Sequence, residues 1–225
     1  MLALVGSGEY LPGMEAVDRE LLGRLAGPPR VVCLPTAAGT EGAERIGYWS
    51  DLGVAHFTRL GAEAQSLPVI DRASANDLAL AGEISQANFV YLSGGKPDYL
   101  HKTLAGSRAW ESILAVLAGG GLLAGCSAGA MILGEKFFGF PGWRSGFNFL
   151  PGATVVPHFD EIPSAMLRSV WLTADKSLAM VGIDGYTALV VDGDRREVLG
   201  TGGVAIWNRA GKQRYGAGLL PDWRH

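Results

Sequence analysis

Short runs that are apolar at almost every position recur along the chain, at Leu2–Val5, Val31–Leu34, Phe89–Leu92, Leu122–Ala124 and Ala188–Val191. A strand with one wet face alternates apolar and polar side chains. A run that does not alternate must be covered on both faces. Segments of helical character lie between these runs, at Met14–Leu25, Glu41–Asp51, Asp77–Gln86, Pro97–Leu104, Arg108–Ala118, Ala128–Gly134 and Pro163–Thr173. Such alternation predicts an α/β fold with a mostly parallel sheet and helices on both faces. Further strands are expected at His56–Leu60, Thr154–Val156, Ala179–Val181 and Val204–Trp207. Asn76 is placed to cap the third helix, and Pro97 and Pro163 suit first helical turns. The C-terminal part reads as strand, turn, strand about Asp192-Gly193-Asp194, which predicts an antiparallel β extension. No linker or repeat divides residues 1–225, so a single domain is expected.

Composition narrows the function classes. The chain is 48% hydrophobic and 18% charged, enough apolar material for a core without covalent staples. Its net charge of -3 implies no large basic face, so nucleic acid is not an expected partner. No run approaches the roughly 20 apolar residues that span a bilayer, so no membrane partner is expected. The N-terminal run lacks the pattern of a signal peptide, and a cytoplasmic protein is the expectation. Cys33 and Cys126 sit in apolar runs and read as buried, reduced thiols. His56, His101, His158 and His225 share no ligand spacing with each other or with a cysteine, so neither a metal nor another cofactor is expected.

The chemistry centres on Leu122-Leu123-Ala124 running into Gly125-Cys126-Ser127-Ala128-Gly129. A buried strand, a Gly-x-Ser-x-Gly turn and a helix start form a nucleophile elbow, which strains the central residue and lifts its side chain out of the sheet end. Ser127 then lies at the positive end of a helix, where developing negative charge is favoured. Cys126 is off the centre of the turn and should point into the packing. Upstream, Phe89–Leu92 enters Ser93-Gly94-Gly95-Lys96-Pro97, a second strand-to-helix turn. A backbone N–H of Gly94 or Gly95, with that of Ala128, could bind an oxyanion. His158 follows the expected strand Thr154–Val156 and is the best general base. The acid that orients it is left between Glu135, near the end of the elbow helix, and Asp160, two residues on along an extended chain. Glu161 is a weaker candidate. Lys96, Arg144 and Arg168 could bind a substrate carboxylate. Phe137, Phe138, Phe140, Trp143, Phe147 and Phe149 could wall a pocket or cover a homodimer interface.

These pieces resemble the peptidase E and cyanophycinase family of serine peptidases. The matching stretches are Gly6-Ser7-Gly8-Glu9, Val31 to Ala38, Ala87 to Gly95, Gly125 to Ala130, Leu150-Pro151-Gly152 with His158-Phe159, and Gly182 to Leu189. The resemblance implies a class I glutamine amidotransferase-like fold with no metal. It implies Ser127 as nucleophile, His158 as base and an oxyanion hole from Gly95 or Gly94 with Ala128. Hydrolysis of short peptides is the expectation, and Lys96, Arg144 and Arg168 suit an acidic residue or a free terminus next to the scissile bond. A cyanophycinase-like isopeptidase, a non-peptide amidase or esterase, and an idle binding protein of the same fold are the alternatives.

Overall fold

A computed structural model describes residues 1–139, 142–175 and 177–221. In chain order the elements are β1 (Leu2–Val5), α1 (Glu15–Gly23), β2 (Arg30–Leu34), α2 (Ala43–Arg59), β3 (Glu63–Ser66), α3 (Leu78–Ser85), β4 (Phe89–Leu92), α4 (Pro97–Leu104), α5 (Arg108–Ala118), β5 (Leu122–Cys126) and α6 (Ala128–Met131). There follow β6 (Lys136–Phe138), β7 (Trp143–Ser145), β8 (Ala153–Val156), α7 (Ser164–Thr173), β9 (Ala179–Ile183), β10 (Thr187–Asp192), β11 (Arg195–Gly200), β12 (Val204–Asn208), β13 (Gly211–Tyr215) and β14 (Gly218–Leu219).

The central sheet has the order β14-β11-β10-β1-β5-β4-β2-β3. From β1 to β3 every pairing is parallel, while β10, β11 and β14 extend it antiparallel. The apolar runs are apolar because both faces are packed. Val32, Leu34, Val90, Leu92 and Leu123 meet Ile84, Leu100 and Ile113 of α3 to α5 on one side. Val31, Cys33, Phe89, Tyr91 and Ala124 meet Val17, Leu21 and Phe57 of α1 and α2 on the other.

Several expectations need correction. His56–Leu60 is no strand: residues up to Arg59 continue α2, whose buried face holds Gly53, His56 and Phe57. His56 and Phe57 belong to the inner stripe of an amphipathic helix, while Thr58 and Arg59 face outward. The strand is the more polar Glu63–Ser66, at the sheet edge, where half-exposed positions remove the apolar signal. The cap of α3 is Asp77, whose carboxylate accepts from Ala79 N and Leu80 N, and not Asn76. β8 and β9 leave the central sheet and form a second one, β13-β12-β9-β8, so His158 does not follow a strand of the Ser127 sheet. The β10–β11 turn falls at Gly193 and Asp194, within the span read for it. No helix is long and apolar enough to cross a membrane among the described residues.

Candidate active site

The elbow is built by close packing. A Cβ on Gly125 would lie 2.5 Å from the Gly129 backbone, and one on Gly129 would lie 2.7 Å from Leu92 O. Only glycine at both positions lets β5, α6 and β4 converge so tightly. Ser127 is held at φ 50°, ψ -109°, with its N–H donating to Val5 O. A non-glycine residue in that region costs about 1–3 kcal/mol, and such strain clusters where function needs it. Five non-glycine residues have positive φ among the described residues: Tyr10, Ser127, Asn148, His158 and Tyr186.

His158, at φ 52°, is the second of these within the site. Its Nε2 lies 3.1 Å from Ser127 Oγ. Its Nδ1 lies 3.0 Å from Glu161 Oε2. A carboxylate only accepts, so Nδ1 carries the proton, and the neutral ring offers Nε2 as acceptor to the serine hydroxyl. Glu135 and Asp160, the acids expected from the sequence, do not touch the ring. Glu135 Oε2 accepts from Gly152 N at 2.8 Å and braces the start of β8. Asp160 Oδ1 accepts from Gly185 N at 2.8 Å. On an extended chain Asp160 would point the same way as His158. Here the chain turns at His158, with Glu161 N donating to its carbonyl at 2.9 Å, and a turn brings residues three apart to one side.

The two glycines after β4 differ. Gly94 N–H donates to Glu9 Oε1 at 3.0 Å and is therefore spent, which removes it as an oxyanion donor. Gly95, at φ +142°, is exposed, and its backbone passes so close to Ala37 O that a Cβ would lie 2.7 Å away. Neither Gly95 N–H nor Ala128 N–H, the first of α6, has an intramolecular acceptor among the described residues. Ala128 directly follows Ser127, and Gly94, the neighbour of Gly95, packs against it, a Cβ there lying 3.2 Å from Ser127 Cβ. Glu9, which sequence reasoning passed over within Gly6-Ser7-Gly8-Glu9, is 8% exposed and ties both turns from behind, its Oε2 accepting from Cys126 Sγ at 2.9 Å.

Cys126 is thus no rival to Ser127. Burial, and then the Glu9 charge, push its thiol well up, and burial holds Cys33 at about 12. The nucleophilic thiolate is absent from both near neutral pH. Neither thiol should react with Ellman's reagent in the native protein over the minutes that label both in guanidinium chloride. Labelling of native Cys126 at the rate of a free thiol would contradict this placement.

Lys96 stands beside Gly95, its Nζ 2.8 Å from Thr40 Oγ1. Arg144 pairs with Asp98 of α4 at 3.3 Å, and Arg168 is exposed on α7. Within the aromatic segment Phe137 is buried, and the partly buried Phe147 stacks on Trp110 at 3.6 Å between centroids. Phe138 and Trp143 remain at the surface edge to face, and Phe140 lies outside the described residues, as does His225. His56 is buried against Asp18, and His101 packs on Phe137 and Phe147. No group of three or more His, Cys, Asp or Glu gathers as a metal site among the described residues.

The model of peptidase family S51 matches residues 2–199. A peptidase from an acI-B1 Actinobacterium has a solved structure 35% identical to this chain, with a TM-score of 0.89, covering 98% of this chain and 96% of its own. A "Putative Peptidase E Protein" from Listeria monocytogenes EGD-e is 19% identical with a TM-score of 0.68, covering 89% of this chain and 98% of its own. The second likeness speaks for the fold alone. No curated protein matches the chain.

Proposed function

Because the chain belongs to peptidase family S51, and so is a serine peptidase of the peptidase E type, we propose that Ser127, His158 and Glu161 hydrolyse short peptides by acyl transfer. The observation that carries this reading is the unbroken line from Ser127 Oγ through the His158 ring to the Glu161 carboxylate, at the tip of a strained elbow. His158 Nε2 takes the hydroxyl proton as Oγ attacks the scissile carbonyl. Glu161 holds Nδ1–H and stabilises the imidazolium that forms. The N–H groups of Gly95 and Ala128 receive the developing oxyanion, where each donor is worth on the order of 10²–10³ in rate. His158 then passes its proton to the leaving amine. Water repeats the sequence on the acyl-enzyme.

Lys96 adjoins the Gly95 donor and is exposed, which supports a substrate with a carboxylate near the scissile bond, from an acidic residue or a free terminus. Arg144 is already engaged by Asp98, which weakens its part in that role.

Intact-protein mass spectrometry after a fluorophosphonate probe tests the assignment. A single adduct on Ser127 is expected, lost in His158→Ala. Glu161→Gln should slow labelling by about 10²-fold or more, since an amide no longer enforces the tautomer or the charge. Glu135→Gln and Asp160→Asn should each label within a fewfold of the parent. A folded protein that takes no adduct would sink the reading, and a Glu135→Gln defect as deep as that of Glu161→Gln would move the acid.

A further inference from the structure

The Glu161 side chain is 58% exposed, the more open partner of its pair with His158. A carboxylate that open to water keeps most of its torsional freedom unless more than one partner holds it. One contact, to His158 Nδ1, does not explain a fixed orientation. We propose that Ser7 is a positioning residue that fixes the Glu161 carboxylate and, through it, the His158 ring.

Ser7 lies just past β1 and is 7% exposed. Its Oγ donates to Glu161 Oε1 at 3.2 Å, while Glu161 Oε2 faces His158 Nδ1 at 3.0 Å. With each oxygen engaged by a different partner, the carboxylate plane is set. Ser7 is itself anchored. It forms a parallel bridge with Gly185, and its carbonyl accepts from Tyr186 N at 3.1 Å. The turn that carries Gly185 is secured in turn. Asp184, 1% exposed, accepts from Gly203 N at 2.7 Å and from both terminal nitrogens of Arg214. Gly185 N–H is held by Asp160, which gives that residue a structural part in place of the orienting one expected for it. A Cβ on Gly185 would lie 2.9 Å from Ser7 Oγ and 3.3 Å from Glu161 Oε1, so the Ser7–Glu161 contact depends on glycine there. The end of the first strand, more than a hundred residues before the histidine, thus completes the hydrogen-bond line.

The proposal rests on Ser127, His158 and Glu161 forming the working triad. Its test is a double-mutant cycle on the fluorophosphonate labelling rate, with Ser7→Ala, Glu161→Gln and the double variant beside the parent. Ser7→Ala should slow labelling about fivefold, the size of one net hydrogen bond, with no further slowing when added to Glu161→Gln. Ser7→Thr, which keeps the hydroxyl, should label near the parent rate, and Gly185→Ala should label more slowly. The low-field NMR resonance of the His158 Nδ1 proton should move in Ser7→Ala and stay in Ser7→Thr. Labelling at the parent rate with an unmoved resonance in Ser7→Ala would overturn the proposal, as would equal slowing in both backgrounds. A parent protein that takes no label would defeat the peptidase mechanism instead. The resonance would still decide for or against Ser7, because it requires no turnover.

Discussion

Replacing Ser127 with alanine is expected to remove peptide hydrolysis, with kcat falling by about 10⁴-fold or more, while the unfolding midpoint stays within a few degrees of the parent. The rate loss follows from the elbow, where Oγ is the group aligned with His158 Nε2 at 3.1 Å. What remains would be the contribution of the Gly95 and Ala128 donors and of binding alone, which in comparable sites is about 10³–10⁴ over water. The small stability change follows from the backbone. Ser127 is strained at φ 50° whatever its side chain, and alanine carries the same Cβ into the same conformation. The hydroxyl bonds a half-exposed ring, so its loss costs at most about 1 kcal/mol. Steady-state kinetics on a panel of short peptides with acidic residues or free termini, paired with thermal unfolding, checks both halves. Residual turnover above a few percent would place the nucleophile elsewhere. A collapse of the midpoint would show that the serine is structural.

Most of the architecture was legible because it is written in strong local signals. The apolar runs of β1, β2, β4 and β5 reflect burial on both faces, and the glycines of the elbow reflect contacts of 2.5–2.7 Å that no other residue allows. The expectations failed where local and tertiary signals part. His56 and Phe57 read as a strand because a stretch of five residues does not reveal its period, and β3 carries no strand signal because an edge strand has no reason to be apolar. That β8 and β9 form a second sheet is set by long-range pairing with β12, to which local patterning is blind. The site divides in the same way. Ser127 and His158 are marked by their neighbours in sequence. The orienting acid is not, because choosing among Glu135, Asp160 and Glu161 depends on one backbone angle, the φ of 52° at His158. Glu9 and Ser7 act across the fold, at 85 and 154 positions from their partners Gly94 and Glu161, and no spacing rule reaches that far.

Away from the site, Asp18→Ala should be strongly destabilising for a polar substitution, costing about 2–3 kcal/mol. Asp18 Oδ2 lies 2.7 Å from His56 Nε2, and both side chains are wholly buried between α1 and α2. Arg59 reaches His56 Nδ1 at 3.3 Å. A guanidinium only donates, so Nδ1 is the acceptor, Nε2 carries the proton, and a neutral ring donates to Asp18. Removing the carboxylate strands that N–H, wholly buried beside the Tyr10 and Phe57 rings. Asp18→Asn should cost far less, since its carbonyl can accept the same bond. It should also change the pH dependence. Burial raises the Asp18 pKa, and the partly opposing pull of His56 does not cancel this. The native state therefore holds a proton that the unfolded chain releases, so the parent loses stability as pH rises from the ordinary carboxylate range to the native value. Asp18→Asn lacks that titration, and its stability relative to the parent should improve over the same window. Guanidinium chloride unfolding of the three proteins at several pH values reads both effects. An alanine variant within about 1 kcal/mol of the parent would mean that the pair is solvated or dispensable. A relative stability of Asp18→Asn that declines with pH would mean that Asp18 is ionised and stabilised in the native core by His56.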